Sequence, residues 1–367
     1  MPEKGQSQLK PFQKNLLQKP YKGGETMEMN IFQIIWYVLW GVLWAVYFAL
    51  DGFDLGAGSL LYFLGKDEKE RRVVYQAVGP FWDGNEVWLI TAGGATFAAF
   101  PTAYAVMFSA LYTPLLLLLF SLIIRGVAVE YRNKHESLSW RNFWDFLFFL
   151  GSFLPALLLG VAFANIFKGV PIDEKGLLQT NLFGLLNPYG LLGGLLFVFC
   201  FATHGALWVA FKAPSPFSER AANLAKKTWV VTLLLVILFW IISFAVTNMW
   251  ANFLKAPLLI AFPLLAALCY LMVPVFLNKG AYFKAWAFSA LTIVLFTAWG
   301  VAGLFPNILP SSINPAYSLT LVNSSSSPLT LKIMTTVAIL FVPIVLAYTF
   351  WAYKTFSYKI TKEDISY

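Results

Sequence analysis

Long apolar runs separated by short polar stretches set the pattern of this chain, at 31–50 (continuing toward 65), 81–100, 104–124, 143–167, 189–211, 229–250, 257–277, 285–304 and 333–353. Each run is near the ~20 residues that carry a helix across ~30 Å of hydrocarbon. In that medium only helices or closed barrels satisfy every backbone polar group. The pattern predicts an all-α integral membrane protein with nine transmembrane helices. Composition agrees, since 59% of residues are hydrophobic and 12% charged, too little polar surface to cover a soluble globule of 367 residues.

A polar stretch at 168–187 divides the chain weakly. It suggests a first four-helix bundle over 31–167, a second over 188–306, an external loop at 307–330, and a ninth, peripheral helix with a cytoplasmic tail over 331–367. Asp51-Gly52-Phe53 and His204-Gly205-Ala206, each ahead of a basic loop, hint at a parallel repeat. The serine-rich loop either covers a neighbour or is loose. Residues 1–30 lack the apolar segment of a signal peptide and are expected to be a disordered extension, with Met27 or Met29 as an alternative start.

Charge orients the helices. The loops after spans one, three, five and seven and the tail hold most of the cations, among them Lys66, Arg71, Arg125, Arg132, Arg141, Lys212, Arg220, Lys279 and Lys354. The other face has only Lys168, Lys175, Lys255 and Lys332. By the positive-inside rule the rich face is cytoplasmic, with the start of span one outside and the C-terminus inside. The net charge of +8 therefore reports topology and contact with anionic lipid, not nucleic acid.

Against this background the acids are conspicuous. DGFDLGAG at 51–58 and GPFWDGNEVW at 79–88 set carboxylates beside glycines inside apolar runs. A charged group in a membrane helix costs about 2.5–3.5 kcal/mol even on the lenient insertion scale, so such residues mark function. Asp51 with Asp54, and Asp83 with Glu86, are spaced i, i+3, on one helix face each. Asp51 falls about 30 Å along span one. Asp83 and Glu86 open span two at the same boundary, and Arg125 with Glu130 closes span three there. Several carboxylates crowding one leaflet raise one another's proton affinity, as a proton-uptake mouth requires.

Plainer readings attach to other residues. Asp54 and Glu130 also suit solvated helix caps. Gly52 and Gly56 form a small-xxx-small pair suited to helix packing, not a nucleotide loop. Of the two histidines, His135 lies in a charged loop. His204 is a ligand, a proton carrier or a hydrogen-bonded packing residue, with packing favoured. Cys200 and Cys269 lie in apolar spans without metal-ligand spacing and read as inert thiols; no metal site is expected. Two isolated histidines cannot hold several haems.

The runs DGFDLGAG, GPFWDGNEVWLITAGGATFAAFP, Arg125 with EYRNK, WRNFWDFLFFLGSFLPALLLGVAFAN and the tail ITKEDI resemble subunit II of the cytochrome bd-type quinol oxidases, over about 31 to the C-terminus. The resemblance implies a respiratory complex that oxidises quinol and reduces dioxygen to water. It implies two b-type haems and one d-type haem carried mainly by a haem-bearing subunit I, with small single-helix accessory subunits as further partners. It implies a bacterial or archaeal cytoplasmic membrane, protons taken from the cytoplasm without pumping, and no nucleic-acid partner. The family's proton route carries over onto Asp83 and Glu130, with Asp51, Asp54 and Glu86 as further candidates. Trp82, Asp83 and Arg125 fall where a structural quinone is held. Relatives often have Asp at the position of Glu130 and can have Pro at Gly126. No catalytic residue is expected in this chain. A secondary transporter, expected to have broken helices in both halves and a midplane site, and a purely structural scaffold are the competing classes.

Overall fold

The computed structural model describes residues 29–361. The expected N-terminal extension lies outside them but for its last two residues. Eleven helices organise the fold: α1 Ile31–Ser59, α2 Glu68–Val78, α3 Trp82–Ala99, α4 Pro101–Ala110, α5 Tyr112–Tyr131, α6 Leu138–Lys168, α7 Pro188–Lys212, α8 Phe217–Val246, α9 Ala261–Asn278, α10 Tyr282–Leu304 and α11 Pro328–Thr355. Among the described residues nine of these are long enough to span a bilayer; α2 and α4 are not. Eight segments are both long and apolar enough to cross by composition, and α3, which carries Asp83 and Glu86, is the remaining one.

Span three differs from its expected bounds for a local reason. Pro114 has no N–H to give the carbonyl of Ala110, so the helix breaks at Leu111. The short α4 stays at one end and α5 runs on to Tyr131.

Helices α1 and α7 form the centre. α1 packs on α3, α6, α7 and α10, and α7 on α6, α8 and α10, so elements of both halves share one core. Their crossing is made by small residues. A Cβ on Gly56 would collide with the backbone at Phe201, and one on Gly205 with the backbone of Phe53, Gly56 and Ala57. The small-xxx-small reading of Gly52 and Gly56 is thus realised as a close helix approach. Beside it Phe53 stacks on Trp208 at 4.4 Å, and the Trp208 indole donates to the Ala77 carbonyl at 2.8 Å.

The loop at 307–330 is packed rather than loose. Strands β1 Asn307–Leu309 and β2 Leu319–Thr320 pair antiparallel, and Ile308 and Leu309 are buried. Ser326 donates its N–H to the Ala99 carbonyl, and Tyr37 donates to the carbonyls of Val301 and Asn307. This closes the end of the bundle opposite the basic loops.

At the basic end, ion pairs lock α2 to α5 and α6. Arg132 donates to Asp145 at 2.5 Å and to Glu68 at 2.7 Å. Arg71 reaches Asp145 at 3.0 Å and Arg141 reaches Glu68 at 3.0 Å. Arg132 and Asp145 are fully buried. Cations that serve as topology signals in the sequence therefore also hold the loops together.

Candidate functional site

Three helices build the site near the basic end. α1 supplies Asp51 and Asp54, α3 supplies Asn85 and Glu86 from its first turns, and α5 supplies Arg125. Because α5 continues six residues past Arg125, the guanidinium lies about 9 Å inside the helix end rather than closing the span. The α1 helix likewise runs on to Ser59, so Asp51 sits about 12 Å from its end.

Arg125 is the hub. Its Nη2 donates to Asp51 Oδ1 at 2.7 Å and also to Glu86 Oε1, to which Nε donates at 3.1 Å. The side chains of Arg125 and Asp51 have no exposed surface, while Glu86 is 20% exposed. Asp54, equally buried, has no cation within ion-pair distance among the described residues. Its Oδ2 accepts from Asn85 Nδ2 at 2.7 Å. Asn85 donates as well to the Leu50 carbonyl at 3.2 Å and accepts from the Tyr353 hydroxyl of α11 at 2.8 Å.

One guanidinium faces three carboxyls, so the cluster is electrically balanced only when two of them hold protons. Tyr47 lies against Asp51 one turn along α1 and shares a hydrogen bond with it, while Asp54 Oδ1 and Arg125 Nη1 are buried without a hydrogen-bond partner among the described residues. Leaving a buried polar atom unpaired costs about 1–3 kcal/mol. Both atoms belong to the one charged cluster in the interior of α1, α3 and α5.

The remaining candidates lie outside this buried group. Asp83 and Glu130 are exposed at the basic end, unpaired among the described residues. Trp82 is half-buried, and its ring occupies the space beside Gly126, 3.0 Å from where a Cβ there would sit. Tyr47, Asn85 and Tyr353 are site residues that sequence reasoning missed. Asn85 was detectable by the argument applied to the acids, since an amide inside an apolar span also needs a partner.

His204 is committed within the chain. Its Nε2 donates to the Ala49 carbonyl at 2.9 Å, so Nδ1 accepts from the Ser289 hydroxyl at 3.0 Å, and the ring stacks on Trp286. Both nitrogens are engaged, which suits packing and leaves none for a metal. Glu68 lies outside the spans, on α2. Burial pushes its carboxyl up, but hydrogen bonds and charge from Arg132, with Arg72 and Arg141, outweigh that and hold it below its ordinary range.

An apolar groove of about 570 Å³ runs between α3 and α5 toward the opposite end, starting near Leu122 and passing Leu89, Gly93 and Phe97.

The family profile described as cytochrome bd terminal oxidase subunit II matches residues 32–356. The cytochrome bd-I ubiquinol oxidase subunit 2 of Escherichia coli (strain K12) is 38% identical over 372 residues, covering 92% of this chain and 98% of that protein. The cytochrome bd ubiquinol oxidase subunit 2 of Bacillus subtilis (strain 168) is 35% identical over 336 residues, covering 91% and 98%. The fold matches a chain of the bd oxidase from Geobacillus thermodenitrificans with a TM-score of 0.71 at 18% identity, covering 89% of this chain and 99% of that one.

Proposed function

Because this chain belongs to the cytochrome bd terminal oxidase subunit II family, we propose that it supplies the oxidase with a proton route through Asp83, Glu130 and the buried Asp51, Asp54 and Glu86 cluster. The chain is a component of a quinol oxidase complex, a multi-pass membrane assembly with haem cofactors and a partner subunit I. The two b-type haems and one d-type haem belong mainly to that partner in this reading. The saturated hydrogen bonding of His204 supports it. α11, exposed along most of its apolar length, offers a face for the partner. Small single-helix subunits and lipid complete the surroundings.

Bound haem supplies the electron transfer and oxygen reduction, which consume protons as water forms. This chain's part is to bring those protons in. The carrying observation is a graded series: exposed acids at the basic end, then Glu86 one turn beyond Asp83, then fully buried Asp51 and Asp54. Asp83 and Glu130 take protons from water on the basic, cytoplasmic side. Glu86 Oε1 accepts from Arg125, which anchors the carboxyl between surface and interior. Asp51, beside the Tyr47 hydroxyl, and Asp54, whose Oδ1 has no other partner, hold the proton inside the membrane. Arg125 stays charged throughout and keeps an unbalanced negative charge from accumulating.

In this reading a structural quinone is held by Trp82, Asp83 and Arg125. In support of it, Arg125 Nη1 is a donor without a partner among the described residues and Trp82 offers a flat apolar wall. Its part here is to fill and stiffen, not to react.

Oxygen consumption per haem in Asp83→Asn and Glu130→Gln complexes tests the reading. Asp83→Asn keeps shape and hydrogen bonding but removes the titrating group. The complex assembles with its haems and turns over more slowly, by on the order of tenfold, less than the ~10²-fold of a directly positioned acid because water can bypass it. Glu130→Gln shows a milder loss. Unchanged specific activity in Asp83→Asn would remove it from any obligatory path, and lost assembly with normal turnover per remaining haem would favour a scaffold role.

A further inference from the structure

We propose that Tyr353, on the otherwise peripheral α11, is a positioning residue for Asp54 and acts through the Asn85 amide. The inference rests on the proton-route reading of Asp54 and extends it to a helix whose apolar length is mostly exposed.

The orientation of Asn85 follows from its neighbours. The Leu50 carbonyl can only accept, and it lies 3.2 Å from Asn85 Nδ2. Turning the amide over would set its oxygen against that carbonyl and against the Asp54 carboxyl. Nδ2 therefore faces Leu50 and Asp54, and Oδ1 faces Tyr353, whose hydroxyl must donate to it across 2.8 Å. Asn85 is the sole hydrogen-bond partner of Asp54 among the described residues, since Asp54 Oδ1 has none. The rotamer of the acid thus depends on the amide, and the amide on the phenol.

A second observation fixes α11 in register at this point. Lys212 at the end of α7 donates to the Phe356 carbonyl at 2.5 Å and also to that of Tyr358, and the Ile360 N–H donates to the Lys212 carbonyl at 2.8 Å. The Tyr353 ring packs on Phe81 at 4.8 Å, between this clamp and the acid cluster. The clamp accordingly holds the basic end of a lipid-facing helix where its single inward phenol meets Asn85.

The test uses the intact oxidase complex and reads oxygen consumption per haem against pH. The other titratable groups facing this region are Asp51 and Tyr47 on α1, Glu86 on α3, Arg125 on α5, His204 on α7 and Tyr353 itself on α11. Tyr353→Phe removes one oxygen and retains the ring packing. Asn85→Leu removes the bridge at similar volume. The expected result is normal haem content in Tyr353→Phe, turnover lowered roughly two- to tenfold, as the loss of one modest hydrogen bond permits, and a displaced pH profile. Asn85→Leu displaces the profile in the same direction, and adding Tyr353→Phe to it causes no further loss. A Tyr353→Phe profile superimposable on the parent's, or an effect that adds in full to that of Asn85→Leu, overturns the inference. Asp54→Asn separates this from the reading beneath it. If Asp54→Asn turns over normally, the role of Asp54 in the route fails. If Asp54→Asn is impaired while Tyr353→Phe is unaltered, only the positioning role fails.

Discussion

Arg125 carries the heaviest electrostatic duty of any single residue here, because it is the one cation bonded to two of the three cluster carboxyls. Removing one partner of a buried pair costs about 3–5 kcal/mol, since the orphaned charges have nowhere to go. Arg125→Met should therefore deplete the chain from membranes, measured by immunoblot and by the haem spectrum of the complex. Neutralising its partners in the same chain, with Asp51→Asn and Glu86→Gln, should restore accumulation without restoring turnover. Normal accumulation of Arg125→Met alone would mean that the carboxyls are already neutral and need no cation. The acids were legible in the sequence because a charge in an apolar run is costly wherever the helix lies. Their division into a buried set and an exposed pair was not, since the i, i+3 spacing of Asp83 and Glu86 says nothing about which side chain meets Arg125 and which meets the surface.

At the scale of elements, the crossing of α1 and α7 depends on the absence of side chains. Alanine normally favours a helix over glycine by about 1 kcal/mol, so the gain or loss from each substitution reads out the space around it. Gly205→Ala places a methyl group against the backbone of α1 and should lower accumulation of the folded chain and its thermal stability in detergent. Gly93→Ala, with nothing within 4 Å of the new methyl group, should leave both unchanged or slightly improved. Equal behaviour of the two variants would show that the crossing has slack. The glycine pair at 52 and 56 announced a close approach in the sequence, but its partner on α7 is about 150 residues away, which no local pattern specifies. The break between α4 and α5 was also written locally, in Pro114, yet hydropathy overrode it because the residues on both sides are equally apolar.

For the whole molecule, the loop charges and the closed, packed loop at 307–330 define two unlike ends. Reporters should fall on opposite sides of the membrane, cytoplasmic when fused after Tyr367 and external when inserted within 324–327. Two reporters on one side would require an even number of crossings between them, against the single crossing by α11. The outward apolar surface of α11 fits the assembly with subunit I, since in isolation this face would have only lipid to cover it.

Class and helix number followed from the sequence alone, because hydrocarbon imposes length and apolarity on every spanning helix, and the acids stood out there because it penalises every charge placed in one. The resemblance carried by DGFDLGAG and WDGNEVW agreed with the family match. Tertiary structure alone decided the depth of Arg125, the double hydrogen bonding of His204, and the link from Asp54 through Asn85 to Tyr353. These depend on side chains that meet across helices far apart in sequence, 268 residues for Asn85 and Tyr353. A hydropathy pattern records how deep a residue can lie, and packing determines what it touches there.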